Sequence, residues 1–219
     1  MKHFLPVTLL SLSILPAAAQ TKLNLHLKHE LDSLYEVDQR YRAMLFDPKI
    51  NRKPDSLATA LGVSKADLNE AIKLRMLRAD ATNMGRVQAL VAQHGYPGRS
   101  VVGVPTNEAV WSVIQHNPNM IPQYLPLLKS AAEKQELPFY RYAMMLDRSL
   151  MSQGKEQIYG TQVLGYTGQT PFVWPIQNAG QVNQLRKQAG FTTTVEKNAA
   201  LLDVVYRVIT LEDVAKMPK

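Results

Sequence analysis

The stretch PFYRYAMMLDRSLMSQG, residues 138–154, is a largely apolar segment that starts at a proline and stops at a glycine. Proline fits the first turn of a helix, and glycine commonly follows the last turn. Apolar side chains point in nearly every direction around this predicted helix, which is typical of a helix buried in a protein core. We therefore expect other helices to pack around it.

Helical periodicity continues on both sides of this segment. Residues 23–46 space their leucines three and four apart and end before Pro48, which predicts a first helix. Further helices are predicted at residues 64–94, 106–117, 122–134, 180–190 and 194–208, with a short helical piece before Gly62 and an extended piece at 101–104. The predicted fold class is mainly α (α+β), a helical bundle with one late β-hairpin turning at Thr167-Gly168.

Residues 1–19 have the three parts of a secretory signal peptide. Lys2 is the positive start, residues 4–15 are the apolar part, and residues 17–19 are a small-residue cleavage site. An uncleaved membrane anchor is the alternative, but the apolar run is short and contains prolines. We expect an exported protein, periplasmic or extracellular, whose single domain spans residues 20–219. The chain has no cysteine, so we expect neither a lipoprotein nor a disulfide.

The charge of the chain limits its partners. Lys and Arg number 25 and Asp and Glu 18, which leaves a formal charge of +7. The basic residues are spread along the sequence and form no basic run or aromatic–basic platform, so we expect no nucleic-acid binding. The net positive charge predicts a weak attraction to anionic surfaces. Beyond the leader, no segment predicts an integral membrane protein, and the composition implies no cofactor and names no partner.

Charged residues interrupt the predicted apolar faces. Asp38 lies on the leucine stripe of the first helix, with Arg42 one turn later, and Asp147 and Arg148 are neighbours in the buried helix. Adjacent helical residues point in different directions, so those neighbours need separate partners, and an unpaired buried charge is very costly. One shared polar cluster is the economical arrangement, and its predicted members are Asp38, Arg42, Asn83, His116, Asp147, Arg148 and the YGTQ segment (159–162).

A series of motifs runs along the chain: DQRYR (38–42), GYPGRSVVG (95–103), AVWSVIQHN (109–117), LPLL (125–128), YAMMLDRSLMSQGKEQIYGTQ (142–162), PI (175–176) and LRKQAGF (185–191). In this order the motifs resemble a bacterial family of unknown function, DUF6624. The QH pair and the D-R…G…Q-Y-G-T-Q elements are the specific parts of the resemblance, which covers most of the mature chain but not its C-terminal end. The resemblance implies that these polar residues belong together, and it implies no activity.

The candidate site residues come from this cluster and these motifs. His116, at a helix end on the rim of the core, is a candidate general acid or base, and Asp147 is the second catalytic candidate. The binding candidates are Asp38, Gln39, Arg42, Asn83, Gln115, Arg148, Gln157, Tyr159 and Gln162. A metal site at His116 with carboxylate ligands is a third and disfavoured alternative, because the chain has no cysteine, only one well-placed histidine and no H-x-x-x-H spacing, so no metal ligand is predicted.

Two functions stay open. The first is a binding or structural-interaction domain, which agrees with the absence of familiar catalytic motifs. The alternative is a metal-independent hydrolase or lyase that uses His116 as general acid/base, with Asp38 or Asp147 to orient it. An open pocket shared by His116, Asp147 and Tyr159 would favour catalysis, and a sealed and mutually bonded cluster would favour a structural role.

Strand alternation makes one further prediction about the YGTQ segment. Ile158 marks the inward face, so Gly160 and Gln162 should point inward and Tyr159 and Thr161 should lie at the rim. We expect the amide of Gln162 to satisfy a buried charge, either Asp147 or Arg148.

Overall fold

The computed structural model describes residues 22–165 and 170–217. Within these residues the helices, in chain order, are α1 (Leu25–Phe46), α2 (Pro48–Asn51), α3 (Pro54–Leu61), α4 (Leu68–His94), α5 (Arg99–Val102), α6 (Ala109–Gln115), α7 (Ile121–Glu133), α8 (Phe139–Ser152), α9 (Val182–Gln188), α10 (Val195–Ala200) and α11 (Leu211–Ala215). Strands β1 (Val163–Leu164) and β2 (Phe172–Val173) pair antiparallel. The mainly helical class with a late hairpin is confirmed. The predicted leader and the turn at Thr167-Gly168 lie outside the described residues.

The main core forms where α1, α4, α6, α7 and α8 meet. Leu31 and Leu34 of α1 are fully buried against this core. Helix α6 is buried at every position from Ala109 to Ile114, so it runs through the middle of the core. His116 follows the last residue of α6 and therefore emerges where the core ends. Within the described residues, no helix combines the length and apolar character needed to cross a bilayer.

Helices α1 and α4 run antiparallel, as three contacts along their interface show. Arg42 contacts Asp80, the Asn83 amide donates to the carbonyl of Leu34, and Arg86 donates to the carbonyl of Glu30. Toward the start of α1 the residue numbers fall, and the residue numbers of the partners in α4 rise. This register places Asp38 opposite the stretch between Asp80 and Asn83, in the middle of an otherwise apolar interface.

A second, smaller core lies in the C-terminal part of the chain. Its buried members are Val173, Ile176, Val182, Val195, Ala199 and Val204. Gly160 packs against it with a φ of +66°, and a Cβ atom there would lie 2.6 Å from Cγ2 of Val195 and 2.8 Å from Cδ1 of Ile176. The YGTQ segment therefore needs a glycine at this position for two reasons, its backbone angle and the close packing.

Three sequence expectations are wrong, two about secondary structure and one about the burial of α8. Residues 101–104 are not extended, because α5 includes the first two of them. The last long helix stops at Ala200, since Asp203 takes a left-handed φ of 57° and a β-branched, extended stretch follows before α11. Helix α8 is not buried all round: Phe139 is 37% exposed. The buried side of α8 includes Asp147 and Ser149.

Candidate functional site

A buried carboxylate and a partly exposed imidazole join α1 to the end of α6. Asp38 is only 1% exposed, and its Oδ1 atom lies 2.9 Å from Nδ1 of His116. Its Oδ2 atom accepts a hydrogen bond from Nε2 of Gln39 at 2.7 Å. On the other side of the ring, the side-chain nitrogen of Gln115 lies 3.2 Å from Nε2 of His116. With Gln115 as donor, Nε2 is an acceptor, so the neutral ring carries its proton on Nδ1 and donates it to Asp38.

Arg42 connects this pair to a second carboxylate, Asp80 of α4. One terminal nitrogen of Arg42 donates to the backbone carbonyl of Asp38 at 2.6 Å and lies 3.3 Å from its Oδ1. The other donates to both carboxylate oxygens of Asp80 at 2.8 Å. The site thus holds two carboxylates, one guanidinium and one imidazole in direct contact.

Asp80 is the member of the site that the sequence analysis missed. It lies one position after Ala79 on the predicted buried stripe of α4 and three before Asn83, and residues three apart share a helix face. That spacing was the available signal. Asn83 itself is fully buried, and its Nδ2 donates to the carbonyl of Leu34. The Oδ1 atom of Asn83 has no hydrogen-bond partner among the described residues.

His116 lines an open cleft of about 440 Å³ between α4 and the loop after α6. The lining residues are Ala81, Met84, Gly85, Gln88, His116, Asn117, Pro118, Asn119 and Met120. Among these described residues only His116 is ionisable; the other polar groups are three side-chain amides. His116 thus belongs both to the hydrogen-bonded cluster around Asp38 and to the lining of the cleft.

Asp147 lies in a different hydrogen-bond cluster. Its fully buried carboxylate accepts hydrogen bonds from the backbone N–H groups of Ile158, Tyr159 and Thr161 and from the hydroxyl of Thr161. Burial raises the pKa of Asp147, and these four donors oppose that rise because they stabilise the charged form. The carboxylate hydrogen-bonded to His116 is therefore Asp38, and the position of Asp147 fits the anchoring of the loop after α8.

Arg148 joins the two clusters. It donates through Nη1 to the carbonyl of Gln115 at 2.7 Å and through Nε to Oε1 of Gln162 at 3.2 Å. The Gln162 amide therefore contacts one of the two charges named in advance, Arg148, although this side chain is only partly buried. Burial lowers the pKa of Arg148.

The segment from Gln157 to Gln162 is a loop held by side chains, not a regular strand. The fully buried Gln157 amide donates to the carbonyls of Gln162 and Trp174, and its Oε1 accepts from the backbone N–H of Gln162. Ile158 is only partly buried, so it does not mark the inward face as expected. Gly160 and Gln162 do point inward.

Tyr159 lies away from the His116 cleft. Its carbonyl accepts a hydrogen bond from the fully buried Arg186 at 2.8 Å. Its ring lies 6.0 Å from the ring of Phe191, and it lines a separate surface cleft with Phe139 and Leu185. Within the described residues, His116 and Tyr159 thus line separate clefts, so the condition that would have favoured catalysis is not met by them. The predicted site instead divides into an Asp38–His116 part and an Asp147 part.

These features define a mainly α-helical protein with a buried Asp–Arg–Asp–His cluster beside an open cleft. The family described as "Family of unknown function (DUF6624)" matches residues 66–210, well over half of the chain, and the protein belongs to this family. The match reaches further toward the C-terminus than the motifs did, but it begins after α1 and so excludes Asp38 and Arg42. Comparison with curated proteins found no match, and comparison with solved structures found none.

Proposed function

We propose that this is an exported ligand-binding protein whose site is the cleft beside His116. Export rests on the signal-peptide pattern of residues 1–19. The ligand site rests on the cleft and on the polar cluster at its edge.

The main support for a ligand site in this cleft is the presence of a glycine, Gly85, in its wall. Gly85 lies inside α4 and lines the cleft, and a Cβ atom added there would meet nothing within 4 Å. Glycine inside a helix costs about 0.5–1 kcal/mol relative to alanine. Packing in the described structure does not call for this glycine. A ligand that lies close to the backbone of α4 would require a residue without a side chain here, which accounts for the glycine.

The lining of the cleft favours an uncharged ligand with hydrogen-bonding groups. Gln88, Asn117 and Asn119 present amides, while Met84 and Met120 provide apolar surface. An ionic ligand would lack a fixed countercharge among these lining residues. Ligand pockets commonly combine apolar walls with a few polar groups that fix orientation.

Ligand-observed NMR tests this proposal with blocked dipeptide amides and neutral sugars as probes. A probe that binds the wild-type mature protein should lose binding to Gly85→Leu, since the new side chain fills the cleft. Ala89→Leu is the matched control, because Ala89 is an exposed position of the same helix outside the cleft lining. Equal binding of every probe to both variants and the wild type would place the ligand elsewhere.

A second candidate function is general acid–base catalysis without a metal. The Asp38–His116 contact favours it, because a carboxylate that accepts a hydrogen bond from Nδ1–H directs the basic lone pair to Nε2, where a substrate would replace the Gln115 amide as donor. The described lining residues other than His116 include no hydroxyl, thiol or amine side chain. The substrate of such a base would therefore be a water molecule or a proton of the ligand itself.

Carbethoxylation by diethyl pyrocarbonate measures the reactivity of that lone pair. His116 should react faster in the wild type than in Asp38→Asn, in which the acceptor of the Nδ1 proton is weakened. Nitrogen NMR of the imidazole should show the Nδ1-protonated tautomer in the wild type. Equal reaction rates in the two proteins would count against the catalytic candidate and leave ligand binding unaffected.

A further inference from the structure

We propose that Asp38, Asp80 and His116 form a binding site for a divalent transition metal and that the guanidinium of Arg42 keeps it closed. The inference is independent of the ligand in the cleft. It concerns a cation position inside the cluster, between α1, α4 and the end of α6.

The three side chains are arranged as a ligand set. Each offers one oxygen or nitrogen atom, and these atoms all lie within 4.8 Å of one another. Oxygen and nitrogen ligands of zinc lie about 2.0–2.2 Å from the ion, so modest side-chain rotations would close the set on one metal. Three protein ligands with room for a fourth group are typical of zinc sites that bind water or substrate.

Arg42 already supplies positive charge to these ligands. Its guanidinium contacts the carboxylates of Asp38 and Asp80, while its own side chain keeps 15% of its surface exposed. A partly exposed side chain can leave toward solvent without crossing the core. Arginine and a metal ion would therefore compete for the same two carboxylates.

The orphaned oxygen of Asn83 is a second and independent sign of a missing partner. It is buried, without a hydrogen bond among the described residues, and Asn83 shares a face of α4 with Asp80. The antiparallel register places Asp38 opposite the stretch between Asp80 and Asn83, with Asn83 itself facing Leu34. A buried acceptor without a partner is uncommon in native structures, and a hydrated cation in the cluster would supply one.

The donor set points to a first-row transition metal such as Zn²⁺. Imidazole favours zinc and its neighbours over Mg²⁺ or Ca²⁺, which prefer all-oxygen sites. A metal bound to the ring nitrogen that faces Asp38 would end the Asp38–His116 hydrogen bond. The metal-bound state and the general-base state of His116 thus exclude each other.

Isothermal titration of the untagged mature protein with Zn²⁺ tests the site. Arg42→Ala should bind Zn²⁺ roughly tenfold or more tightly than the wild type, because the competing charge is gone. Arg40→Ala is the matched control, since Arg40 lies on the same helix and, in the part of the chain that the structure describes, pairs with the exposed Glu36; it should bind as the wild type does. The double variant Arg42→Ala/His116→Phe should lose the gain, and Mg²⁺ should not replace Zn²⁺.

Circular dichroism extends the test to the case in which Arg42→Ala does not fold alone. Zn²⁺ should then restore the helical signal of Arg42→Ala but not that of the double variant. The proposal is overturned if the folded variant binds Zn²⁺ no more tightly than the wild type. It is equally overturned if an unfolded Arg42→Ala is not restored, or if the double variant keeps the gain.

Discussion

Nδ1 of His116 and Oδ1 of Asp38 are 2.9 Å apart although 78 positions separate the two residues in the chain. The pair therefore ties the first long helix to the end of the most buried one. Because Asp38 also accepts from Gln39 and lies beside Arg42, one carboxylate holds three side chains in place. The contribution of Asp38 to the free energy of unfolding can be measured by substitution.

Asp38→Ala should lower the free energy of unfolding by about 3–5 kcal/mol, the range for breaking a buried charge pair. Urea denaturation of the mature protein gives the value. Glu36→Ala is the control on the same helix, since its pair with Arg40 is exposed and such pairs contribute little. A loss below about 0.5 kcal/mol for Asp38→Ala would show that this contact is no stronger than a surface one.

Gly85→Ala should raise the free energy of unfolding by about 0.5–1 kcal/mol, because alanine is the better helix former and its Cβ meets open space. Gly62→Ala should have the opposite sign. Gly62 also faces open space, but its φ of +66° is one that alanine adopts at a cost of about 1 kcal/mol. Thermal and urea denaturation of both variants measure the two signs. Destabilisation by Gly85→Ala would reveal a packing role for this glycine.

Gly160→Ala should destabilise the protein by about 1–3 kcal/mol more than Gly154→Ala does. Both glycines have a positive φ, but only Gly160 would bring its Cβ close to Val195 and Ile176. The difference between the variants, measured by urea denaturation, isolates the packing effect from the backbone strain. Equal losses would mean that the small core yields to the added methyl group.

Asp147 should give the stability a characteristic pH dependence. Burial raises its pKa in the folded state, so above the ordinary pKa of about 3.9 the folded protein binds this proton more strongly than the unfolded chain. Its contribution to stability is then present at low pH and is lost as the pH rises through the folded pKa. The free energy of unfolding of the wild type minus that of Asp147→Asn should therefore decrease with rising pH. An increase would show that the four donors outweigh burial.

Export predicts a defined N-terminus. Expressed with its full sequence in a bacterial host that exports it, the protein should be recovered without residues 1–19 and without lipid, starting at Gln20. Intact-mass measurement of the exported protein decides this. A mass that retains the leader would contradict cleavage at this place.

The sequence predicts those parts of the fold and site that depend on side-chain periodicity. The leucine spacing of α1 and the proline after it locate the helix, and Asp38 stands out because it interrupts that stripe. Gln162 was expected to meet a buried charge, and it contacts Arg148. For α1 the signal is a residue type at a helical position, whereas the argument for Gln162 assumed a strand alternation that this loop does not have.

Other features depend on contacts that no local pattern records. The Asp147 carboxylate accepts hydrogen bonds from backbone N–H groups. Nearly every residue type has this group, so the sequence does not reveal which residues would be the partners of Asp147. Asp80 lies at the edge of its stripe, and its partner Arg42 lies 38 positions away. The end of α10 depends on a left-handed Asp203, an angle that aspartate adopts only occasionally.

The packing of helix α1 determines where a fragment of this protein can be cut. The family match starts at residue 66, whereas Leu27, Leu31 and Leu34 of α1 belong to the main core. A fragment cut at the edges of the match would leave an apolar groove on α4 and α6 open to water, together with Asp80 deprived of Arg42. Expression boundaries for this protein should therefore be drawn to include α1, which precedes the matched segment.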